Sequence, residues 1–578
     1  MAIKSVTVAA DFETTTDIND CRVWAACAVD VDTLETLHLS NSIDSFFEWL
    51  QDKNTKCYFH NEKFDGEFIV SYLLSHGYKY SKSREPKTFD MVLSDTGQWY
   101  SVTVIFDKKN KKYKKVTFYD SLKKLPFKVS EIAKAFNLED QKGEIDYKKY
   151  RPPGHILTDE EERYIVKDCR IVAAALKIQF SKGLKRMTNA SDALHGYKEI
   201  IDKKNFERWF PVLPVELDAD IRRAYKGGFV YLNPKYKNVR GLQGITFDVN
   251  SLYPSVMYDR VLPFGYPMFF EGKPEIDDKY NLFIVRVKAR FKVKDGYIPT
   301  IQVKNSHRFV QTEYVTDSRV YDSRGRLLID EPVELVLTSV DLQLFLDHYD
   351  IEDITYLDGY KFKGVTGLFK DYIDYWMHIK ETETGALRQL AKLMLNSLYG
   401  RFALNPNAVT KFPVMDERGI VHYYVNTPEN REEYGMGELN DDELRDPVYT
   451  AMGAFITAYA RDKTIRSAQA VYNRFIYADT DSLSLIGYDV PDILDVHPTR
   501  LGAWKDEGCF TDSKFIRAKT YMKTIKGVDK VTCAGMPDKV KEQVTYDNFR
   551  PGSTFNGKLV PRRCVGGVVL VDTTFTIK

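Results

Sequence analysis

Four acidic side chains in the first third of the chain could together hold divalent metal ions. Asp11 and Glu13 lie two residues apart in the strand-like segment SVTVAADFETT, so both carboxylates point to one face. Asp65 follows in YFHNEKFDGEF, and Tyr164 and Asp168 are spaced to share one face of a predicted helix. Oxygen ligands without His or Cys suit a pair of Mg²⁺ ions, with Mn²⁺ as the alternative. Two ions about 4 Å apart can activate a water molecule, which Tyr164 could orient, and stabilise the 3′-oxygen that leaves a phosphodiester.

A second set of carboxylates lies further along the chain, between residues 248 and 481. Asp248 ends the apolar segment GITFD, and Asp479 and Asp481 occupy a predicted strand turn in YADTDS. Nucleotidyl transfer needs carboxylates from two strands to hold two metal ions, one at the primer 3′-hydroxyl and one at the triphosphate. We expect Asp248 and Asp481 to be direct metal ligands, with Asp479 in support.

A polar stripe on a predicted helix lies between these two segments. In QLAKLMLNSLYG, the residues Lys392, Asn396 and Tyr399 have the spacing of one helix face, whereas the leucines form a separate apolar face. A cation for phosphates, an amide, and a ring that lies against a base pair predict a nucleotide-binding surface.

The turn after Asp248 adds a second nucleotide contact. It runs through Ser251 and Leu252 to Tyr253. The ring of Tyr253 can fill the space below a sugar, so we expect it to exclude a 2′-hydroxyl.

The elements that must position these side chains change in character along the chain. Up to residue 187, strand-like and helix-like segments alternate, which predicts a mixed α/β domain. The polar segment MTNASDALHGYK then predicts a domain boundary. From about 225 the segments resemble antiparallel strands, interrupted by one long helical block from TGLFKDY to NSLYGRF. Residues 427–446, with eight acids against two arginines, predict a solvated loop, and the final VGGVVLVDTTFTIK predicts a strand.

Length and composition limit the class of protein. The 578 residues predict three or four domains, and 83 basic against 82 acidic residues neither favour nor exclude a nucleic-acid partner. Seven scattered cysteines without a CxxC pair predict reduced thiols and no zinc site. The chain has no signal-peptide pattern and no apolar run of roughly 20 residues, so we expect a soluble protein without a membrane partner.

The first acidic set resembles the three exonuclease motifs of proofreading domains that have an RNase H-like fold. That resemblance implies that Lys142 contacts a phosphate. It also implies a set of residues that hold a frayed single strand, in keeping with the stacking and backbone contacts that single strands use: Thr14, Tyr58, His60, Asn61, Phe64, Phe68, Ser121 and Leu122. Ordinary core packing is the alternative for Phe64 and Phe68.

The remaining motifs resemble those of family B DNA polymerases. DVNSLYPS, KLMLNSLYG and YADTDS are similar to motifs A, B and C, and KTY is similar to the primer-binding KxY motif. YKGGF is similar to the YxGG(F/Y) element of the protein-primed phage polymerases of the phi29 type, which the chain resembles from end to end. The resemblance implies DNA contacts by these residues: Tyr225, Gly227, Gly228, Phe229, Lys519, Thr520 and Tyr521.

The resemblance also implies an architecture: an RNase H-like 3′→5′ exonuclease domain followed by a right-hand polymerase with two palm insertions. The implied divisions are 1–187 exonuclease, 188–259 palm, 260–367 first insertion, 368–403 fingers, 404–446 second insertion, 447–536 palm and 537–578 thumb. The first insertion is expected to bind a terminal protein that serves as primer. The second is expected to form a hairpin near 410–425 that contacts DNA and permits strand displacement and processive synthesis.

The expected enzyme is a monomeric DNA-directed DNA polymerase with a 3′→5′ exodeoxyribonuclease, acting in the host-cell cytoplasm of a bacterial virus. Its partners would be template-primer DNA, dNTPs, the terminal protein and a viral single-stranded DNA-binding protein. The alternative is a related polymerase that uses only nucleic-acid primers. The lysine run KKNKKYKK at 108–115 predicts a solvated hairpin tip, with contact to DNA or to the primer protein as the alternative.

Three other functions fit parts of the sequence. A stand-alone exonuclease with a decayed polymerase half is disfavoured because Asp248, Lys392, Tyr399 and Asp481 are all present. A non-catalytic scaffold is disfavoured because seven carboxylates would repel DNA unless metals neutralised them. For a polymerase that copies RNA, Tyr253 and the proofreading motifs favour deoxynucleotides but leave the template open.

Overall fold

An eight-stranded sheet with helices on both faces forms the N-terminal part of the chain. The computed structural model describes residues 5–109, 112–303, 306–310, 313–405, 407–436 and 446–578. The sheet order is β3-β2-β1-β4-β8-β7-β6-β5, with β1, β4 and β8 parallel to one another and most other pairs antiparallel. Its strands are β1 Ser5–Thr14, β2 Val23–Asp30, β3 Thr36–Ser40, β4 Asn54–Phe59, β5 Lys79–Tyr80, β6 Thr88–Leu93, β7 Trp99–Lys109 and β8 Lys112–Asp120; its helices are α1 Ile43–Leu50, α2 Glu62–Ser75, α3 Val129–Ala135 and α4 Asp159–Ser181.

Successive side chains of β1 point to opposite faces of this sheet and so pack into two separate apolar cores. Val8 and Ala10 pack with the residues of α1 and α2, whereas Ala9 packs with those of α4. The mixed α/β prediction for this part is therefore confirmed. The lysine-rich segment joins β7 to β8 as predicted; Lys108 and Lys114 form ion pairs with Glu85 and Asp52, while residues 110 and 111 lie outside the described part.

The elements after residue 188 form the rest of the molecule. The helices are α5 Asn189–Ile201, α6 Lys203–Trp209, α7 Val215–Arg222, α8 Leu252–Asp259, α9 Ser339–His348, α10 Lys370–Thr382, α11 Gly385–Ala403, α12 Pro428–Glu433, α13 Thr450–Ala470 and α14 Asp538–Lys541. The strands are β9 Val230–Leu232, β10 Gly244–Val249, β11 Leu262–Glu271, β12 Leu282–Val293, β13 Val320–Tyr321, β14 Leu327–Ile329, β15 Val333–Thr338, β16 Tyr349–Val365, β17 Lys411–Met415, β18 Val421–Val425, β19 Phe475–Asp479, β20 Ser482–Ile486, β21 Trp504–Phe510, β22 Asp512–Arg517, β23 Thr520–Ile525, β24 Val528–Cys533, β25 Thr554–Cys564 and β26 Gly567–Thr576.

A five-stranded sheet of order β21-β10-β20-β19-β9 lies at the centre of this half, and long helix α13 packs against it. Asp248 is opposite Ser482 in the β10–β20 ladder, so the two acidic segments of the sequence become neighbours. A separate four-stranded sheet, β11-β16-β12-β15, is built from residues 262–365 and has its own apolar core. Strands β17 and β18 form a hairpin at 411–425, where the family resemblance implies one.

Three segments differ from the sequence prediction. The segment MTNASDALHGYK, expected to be a domain boundary, is mostly helix α5. Thr188 caps the first turn of this helix, and its residues Leu194 and Tyr197 are buried. The expected single helical block is two helices, because the chain is extended at Glu383 and has a positive φ at Gly385. Within the acidic segment, residues 428–433 form the short helix α12 rather than a loop, and residues 437–445 lie outside the described part.

The C-terminal residues form a hairpin, β25–β26, whose core includes residues of the preceding β22-β23-β24 sheet. Met522 and Cys533 of that sheet pack with Phe555 and Phe575 of the hairpin. In the residues that the structure describes, no helix is both long and apolar enough to cross a membrane.

Candidate active sites

The first site collects the four predicted acids around β1, an interior strand of the N-terminal sheet. Strand β1 presents Asp11 and Glu13 on the same side, while Phe12 between them packs in the opposite core against Phe46 and Phe59. Helix α2 supplies Asp65 and α4 supplies Asp168, both nearly fully buried.

The electrostatics of this site show carboxylates held together against their mutual repulsion. Burial and the charge of Asp168 raise the pKa of Asp11 to about 7. Burial and the charge of Asp11 raise the pKa of Glu13 and of Asp65 well above the usual range. Like charges in a buried site disfavour ionisation unless a cation neutralises them.

A lysine and two tyrosines complete the first site. Lys142 Nζ lies 2.9 Å from Asp168 Oδ2. The hydroxyl of Tyr164 lies 2.5 Å from that of Tyr147, a residue that the sequence reasoning missed. Tyr147 comes from an irregular segment between α3 and α4, where no periodicity could have indicated it.

The residues expected to hold a single strand fall into two groups. His60 Nδ1 and Ser121 Oγ are 3.0 Å apart, and the side chain of Asp120 accepts hydrogen bonds from the backbone N–H groups of Asn61 and Leu122. Asp120 thus holds two of the predicted contacts directly, and a hydrogen bond between His60 and Ser121 joins two more.

The second group is more buried. Tyr58 is 3% exposed and stacks on Tyr119 within the core, and Phe68 is 1% exposed beside the partly buried Phe64. Phe68 also lies directly against the backbone of Gly567, where an added Cβ would come within 2.5 Å of its ring. Thr14 lines a cavity of about 510 Å³ together with Tyr147 and residues of β26.

The second site is formed where β10 meets the β19–β20 turn. Burial and the charge of Asp481 raise the pKa of Asp248 to about 7, and burial also raises the pKa of Asp481. The turn residue Thr480 has a φ of 58° and donates its N–H to the carbonyl of Phe229 at 2.6 Å. A Cβ on Gly228 would come within 2.4 Å of Thr480 Oγ1, so the YKGGF segment requires glycine there.

Asp479 has a different environment from the other two acids of this site. Lys519 Nζ lies 2.9 and 3.0 Å from its two carboxylate oxygens. Lys519 also donates its backbone N–H to Tyr477 Oη at 2.9 Å. An ammonium therefore already neutralises Asp479, whereas Asp248 and Asp481 face each other. Beside Lys519, Thr520 is fully buried, and Tyr521 stacks on Phe515 with ring centroids 5.2 Å apart.

Both sets of acids fit divalent cations. Among the described residues, no three His, Cys, Asp or Glu side chains already form a closed metal-binding group. However, Asp65 Oδ1 and Asp168 Oδ1 are buried without a hydrogen-bond partner, and the repulsion described above is the kind that a cation relieves. Oxygen-only donors are the ligands that Mg²⁺ prefers.

A cluster of cations lies beside the second site on helices α10 and α11. On α11, Lys392 is half-buried and Asn396 is exposed. From α10, Lys380 donates to Ser251 Oγ at 2.9 Å, and burial followed by the charges of Lys392 and Arg388 lowers its pKa. The sequence reasoning missed Lys380 and Arg388. Arg388 lies one helical turn before Lys392 and could have been found by spacing, but Lys380 lies on another helix.

Two stacked tyrosines connect the stripe to the catalytic strand. The rings of Tyr253 and Tyr399 lie 4.0 Å apart with an interplanar angle of 23°. Burial and the neighbouring Tyr399 raise the pKa of Tyr225, which places this residue of the YKGGF segment beside the pair. Leu252, in contrast, is buried in the core.

Comparison with known proteins agrees with this geometry. The sequence model of the family described as "DNA polymerase type B, organellar and viral" matches residues 48–497. The chain is 47% identical to the DNA polymerase of Bacillus phage M2 over 98% of this chain and 99% of that protein.

Solved structures of the phi29 DNA polymerase are similar over the whole fold. The complex with primer-template DNA has a TM-score of 0.91 and 44% identity, covering 100% of both chains. The ternary complex with primer-template DNA and incoming nucleotides has the same TM-score and identity, covering 99% of this chain and 100% of that one. The expected architecture, an exonuclease followed by a right-hand polymerase, is confirmed. This chain belongs to the organellar and viral type B DNA polymerases and is a DNA-directed DNA polymerase with a 3′→5′ exonuclease.

Proposed function

We propose that this polymerase replicates a viral genome from a protein primer, proofreads with its N-terminal site, and displaces the non-template strand without a helicase. The observation that carries the proposal is the near-complete match to phage polymerases, combined with two separate carboxylate sites on two different sheets. The finer assignments below rest on the residues of this chain.

In the polymerase site, we assign the direct metal contacts to Asp248 and Asp481. Two divalent ions, Mg²⁺ or Mn²⁺, would stabilise the charge that develops on the attacking and leaving oxygens. Asp479 orients Lys519, to which we assign a contact with the primer strand. Cations on α10 and α11 bind the triphosphate: Lys392 as predicted, with Lys380 and Arg388 beside it.

The same site selects the sugar and the base pair. Tyr399 holds the ring of Tyr253 by stacking, and Tyr253 fills the space that a 2′-hydroxyl would need. Asn396 contacts the incoming nucleotide or the template from the exposed side of α11. Ser251 is held by Lys380, so its turn keeps Leu252 and Tyr253 in place beside the nucleotide.

In the exonuclease site, Asp11, Glu13, Asp65 and Asp168 would hold the metal pair, and Lys142 would contact the scissile phosphate. Tyr164 orients the attacking water, and its hydrogen bond with Tyr147 fixes the direction of its hydroxyl. His60, Asn61, Ser121 and their neighbours bind the frayed strand.

Contacts among three separate parts of the chain support a closed ring around DNA. The 411–425 hairpin adjoins the N-terminal sheet through the Ser94–Thr410 bridge and the stacking of Tyr80 on Phe412. It adjoins the C-terminal hairpin where Val565 lies 3.6 Å from the position of a Cβ on Gly419. A ring of this kind retains the template during synthesis and leaves room downstream for one strand only.

Further partners follow from the family. The phi29 polymerase is seen with primer-template DNA and with incoming nucleotides, and we assign the same ligands to this chain. We place the docking surface for the terminal protein on the 260–367 sheet and keep the domain divisions given above. Relatives that match nearly the whole chain, such as those of Bacillus phage M2 and Streptococcus phage Cp-1, come from bacterial viruses, so we place its action in the bacterial host cell, alongside a viral single-stranded DNA-binding protein.

The test of protein priming is an initiation assay. The polymerase is incubated with each labelled dNTP in turn and with the terminal protein of its own virus, and transfer of the label to protein is measured. Label on the protein supports the proposal. Extension of DNA primers without any labelled protein would favour the alternative, a polymerase that uses only nucleic-acid primers.

A further inference from the structure

A buried lysine lies beneath the second active site and has no role in the chemistry described above. Lys523 on β23 is 6% exposed. Within the described ranges it forms no ion pair with a carboxylate; instead its Nζ donates to Thr246 Oγ1 and to Ser484 Oγ, each at 2.9 Å. A lysine without a buried counter-charge is unusual, because burial of a charge is costly unless it is paired.

Aromatic rings surround the same ammonium group. Lys523 Nζ lies 5.0 Å from the ring centroid of Phe510, 5.6 Å from that of Phe515 and 5.2 Å from that of Tyr521. These faces favour a cation, but burial nevertheless lowers the pKa of Lys523 to about 7. An apolar side chain of similar length would avoid this desolvation cost.

The two hydroxyls that accept from Lys523 belong to the strands that carry the catalytic acids. Thr246 lies two residues before Asp248 and therefore on the same face of β10. Ser484 lies opposite Thr246 on β20, the strand that begins directly after Asp481. The ammonium group thus bonds to both catalytic strands at once.

Strand β23, which carries Lys523, also carries Tyr521 of the proposed primer-binding segment. Tyr521 lies two residues before Lys523 on β23 and packs its ring against that ammonium and against Phe515 and Tyr477. Tyr477 in turn accepts the backbone N–H of Lys519. Lys523 therefore joins β23, which begins directly after Lys519 and carries Tyr521, to β10 with Asp248 and to β20, which begins directly after Asp481.

We propose that Lys523 is a positioning residue for the primer terminus: it fixes the distance between the primer-binding tyrosine and the metal-binding acids. It acts through Tyr521 and does not contact DNA itself. The inference rests on the proposed primer contact of Tyr521. Loss of the hydrogen bonds of Lys523 loosens the primer end in the polymerase site, so the end is transferred more often to the exonuclease site.

The test uses the full-length enzyme on a labelled primer-template, and measures the dNTP concentration at which extension and degradation balance. For Lys523→Met we expect this concentration to rise roughly tenfold. Degradation of single-stranded DNA should stay at the wild-type rate, because it does not use the primer-binding segment. Lys530→Met is the matched control, since Lys530 is exposed and pairs with Lys523 in the β23–β24 ladder.

Two further variants keep the test decisive. Thr246→Val together with Ser484→Ala removes both hydroxyls without touching the lysine, and should raise the balance concentration in the same direction even if Lys523→Met fails to fold. A balance within twofold of wild type in folded variants would overturn the inference. Tyr521→Ala distinguishes the positioning role of Lys523 from the primer contact of Tyr521 on which it rests. If the balance concentration of dNTP is unchanged in Tyr521→Ala as well, the proposed primer contact is wrong. If it changes in Tyr521→Ala but not in the Lys523 variant, only the role of Lys523 is refuted.

Discussion

At the scale of single residues, substitutions in the two sets of acids should affect the exonuclease and polymerase activities separately. Replacing Asp11 and Glu13 together with alanine should abolish degradation of single strands and leave polymerisation nearly intact, because the other acids lie on a different sheet. Asp248→Ala should do the reverse, with synthesis falling by about 10²–10³-fold or more, as for the loss of a strong transition-state contact. Both rates are measured on matched substrates, with the exposed Asp32→Ala as control. An equal fall of both activities in either variant would show that the sites are not independent.

The repulsion among the buried acids also predicts a measurable response to metal. Adding Mg²⁺ should raise the melting temperature of the wild-type protein, because a ligand bound at ten times its Kd adds about 1.4 kcal/mol to the free energy of unfolding. The rise should shrink when Asp11 and Glu13 are alanine. Thermal melts with EDTA and with Mg²⁺ measure this. A rise of the same size in the variant would mean that the metal binds elsewhere.

The stacked tyrosines predict the basis of sugar selection. Tyr253→Val should relax discrimination against ribonucleotides, because the ring that fills the space below the sugar is removed. Tyr253→Phe keeps the ring on Tyr399 and should retain discrimination. The measurement is the ratio of kcat/KM for dNTP and rNTP incorporation. An unchanged ratio in Tyr253→Val would mean that another residue excludes the 2′-hydroxyl.

At the scale of elements, the C-terminal hairpin and helix α2 are joined by one ion pair. Arg563 Nε lies 3.1 and 3.0 Å from the carboxylate oxygens of the buried Glu67, and its guanidinium lies 4.6 Å from the ring centroid of Tyr423 on β18. If Arg563→Ala weakens ring closure by about 1.4 kcal/mol, opening becomes roughly tenfold more frequent.

Arg563→Ala should therefore shorten the product made per binding event, while single-nucleotide incorporation stays unchanged. The neighbouring exposed Arg562→Ala is the matched control, and product length is measured with excess unlabelled trap DNA. Wild-type product length in Arg563→Ala would show that this contact does not hold the ring.

The same contact shows what the sequence could and could not predict. Asp11 was predictable because its spacing from Glu13 puts both on one face of a strand, and Asp65, Asp248 and Asp481 because each lies in a segment that resembles a family motif. The pairing of Glu67 with Arg563 spans nearly the whole chain, so no local pattern indicates it. Helix α5 was missed because its polar first turn resembles a loop until the capping bond of Thr188 and the burial of Tyr197 are seen.

At the scale of the whole molecule, deletion of residues 407–443 should uncouple synthesis from strand displacement. The deleted segment carries the β17–β18 hairpin but neither Lys392 nor any of the proposed metal-binding acids, so filling of a short gap should survive. Extension through a downstream duplex should be lost, because the entrance would no longer be narrow enough to exclude the non-template strand. Gap filling and duplex extension are measured on the same primer. If the deletion variant still displaces strands over long distances, the 260–367 sheet becomes the better candidate for closing the ring.

The most direct measurement of the whole proposal is synthesis on primed single-stranded circular DNA by the purified enzyme alone. A polymerase that encircles its template and peels away the strand ahead should pass its own start point repeatedly. Products many times longer than the circle, without helicase, clamp or single-stranded DNA-binding protein, are therefore expected. Products that stop at one circle length, and lengthen only when helper proteins are added, would contradict it.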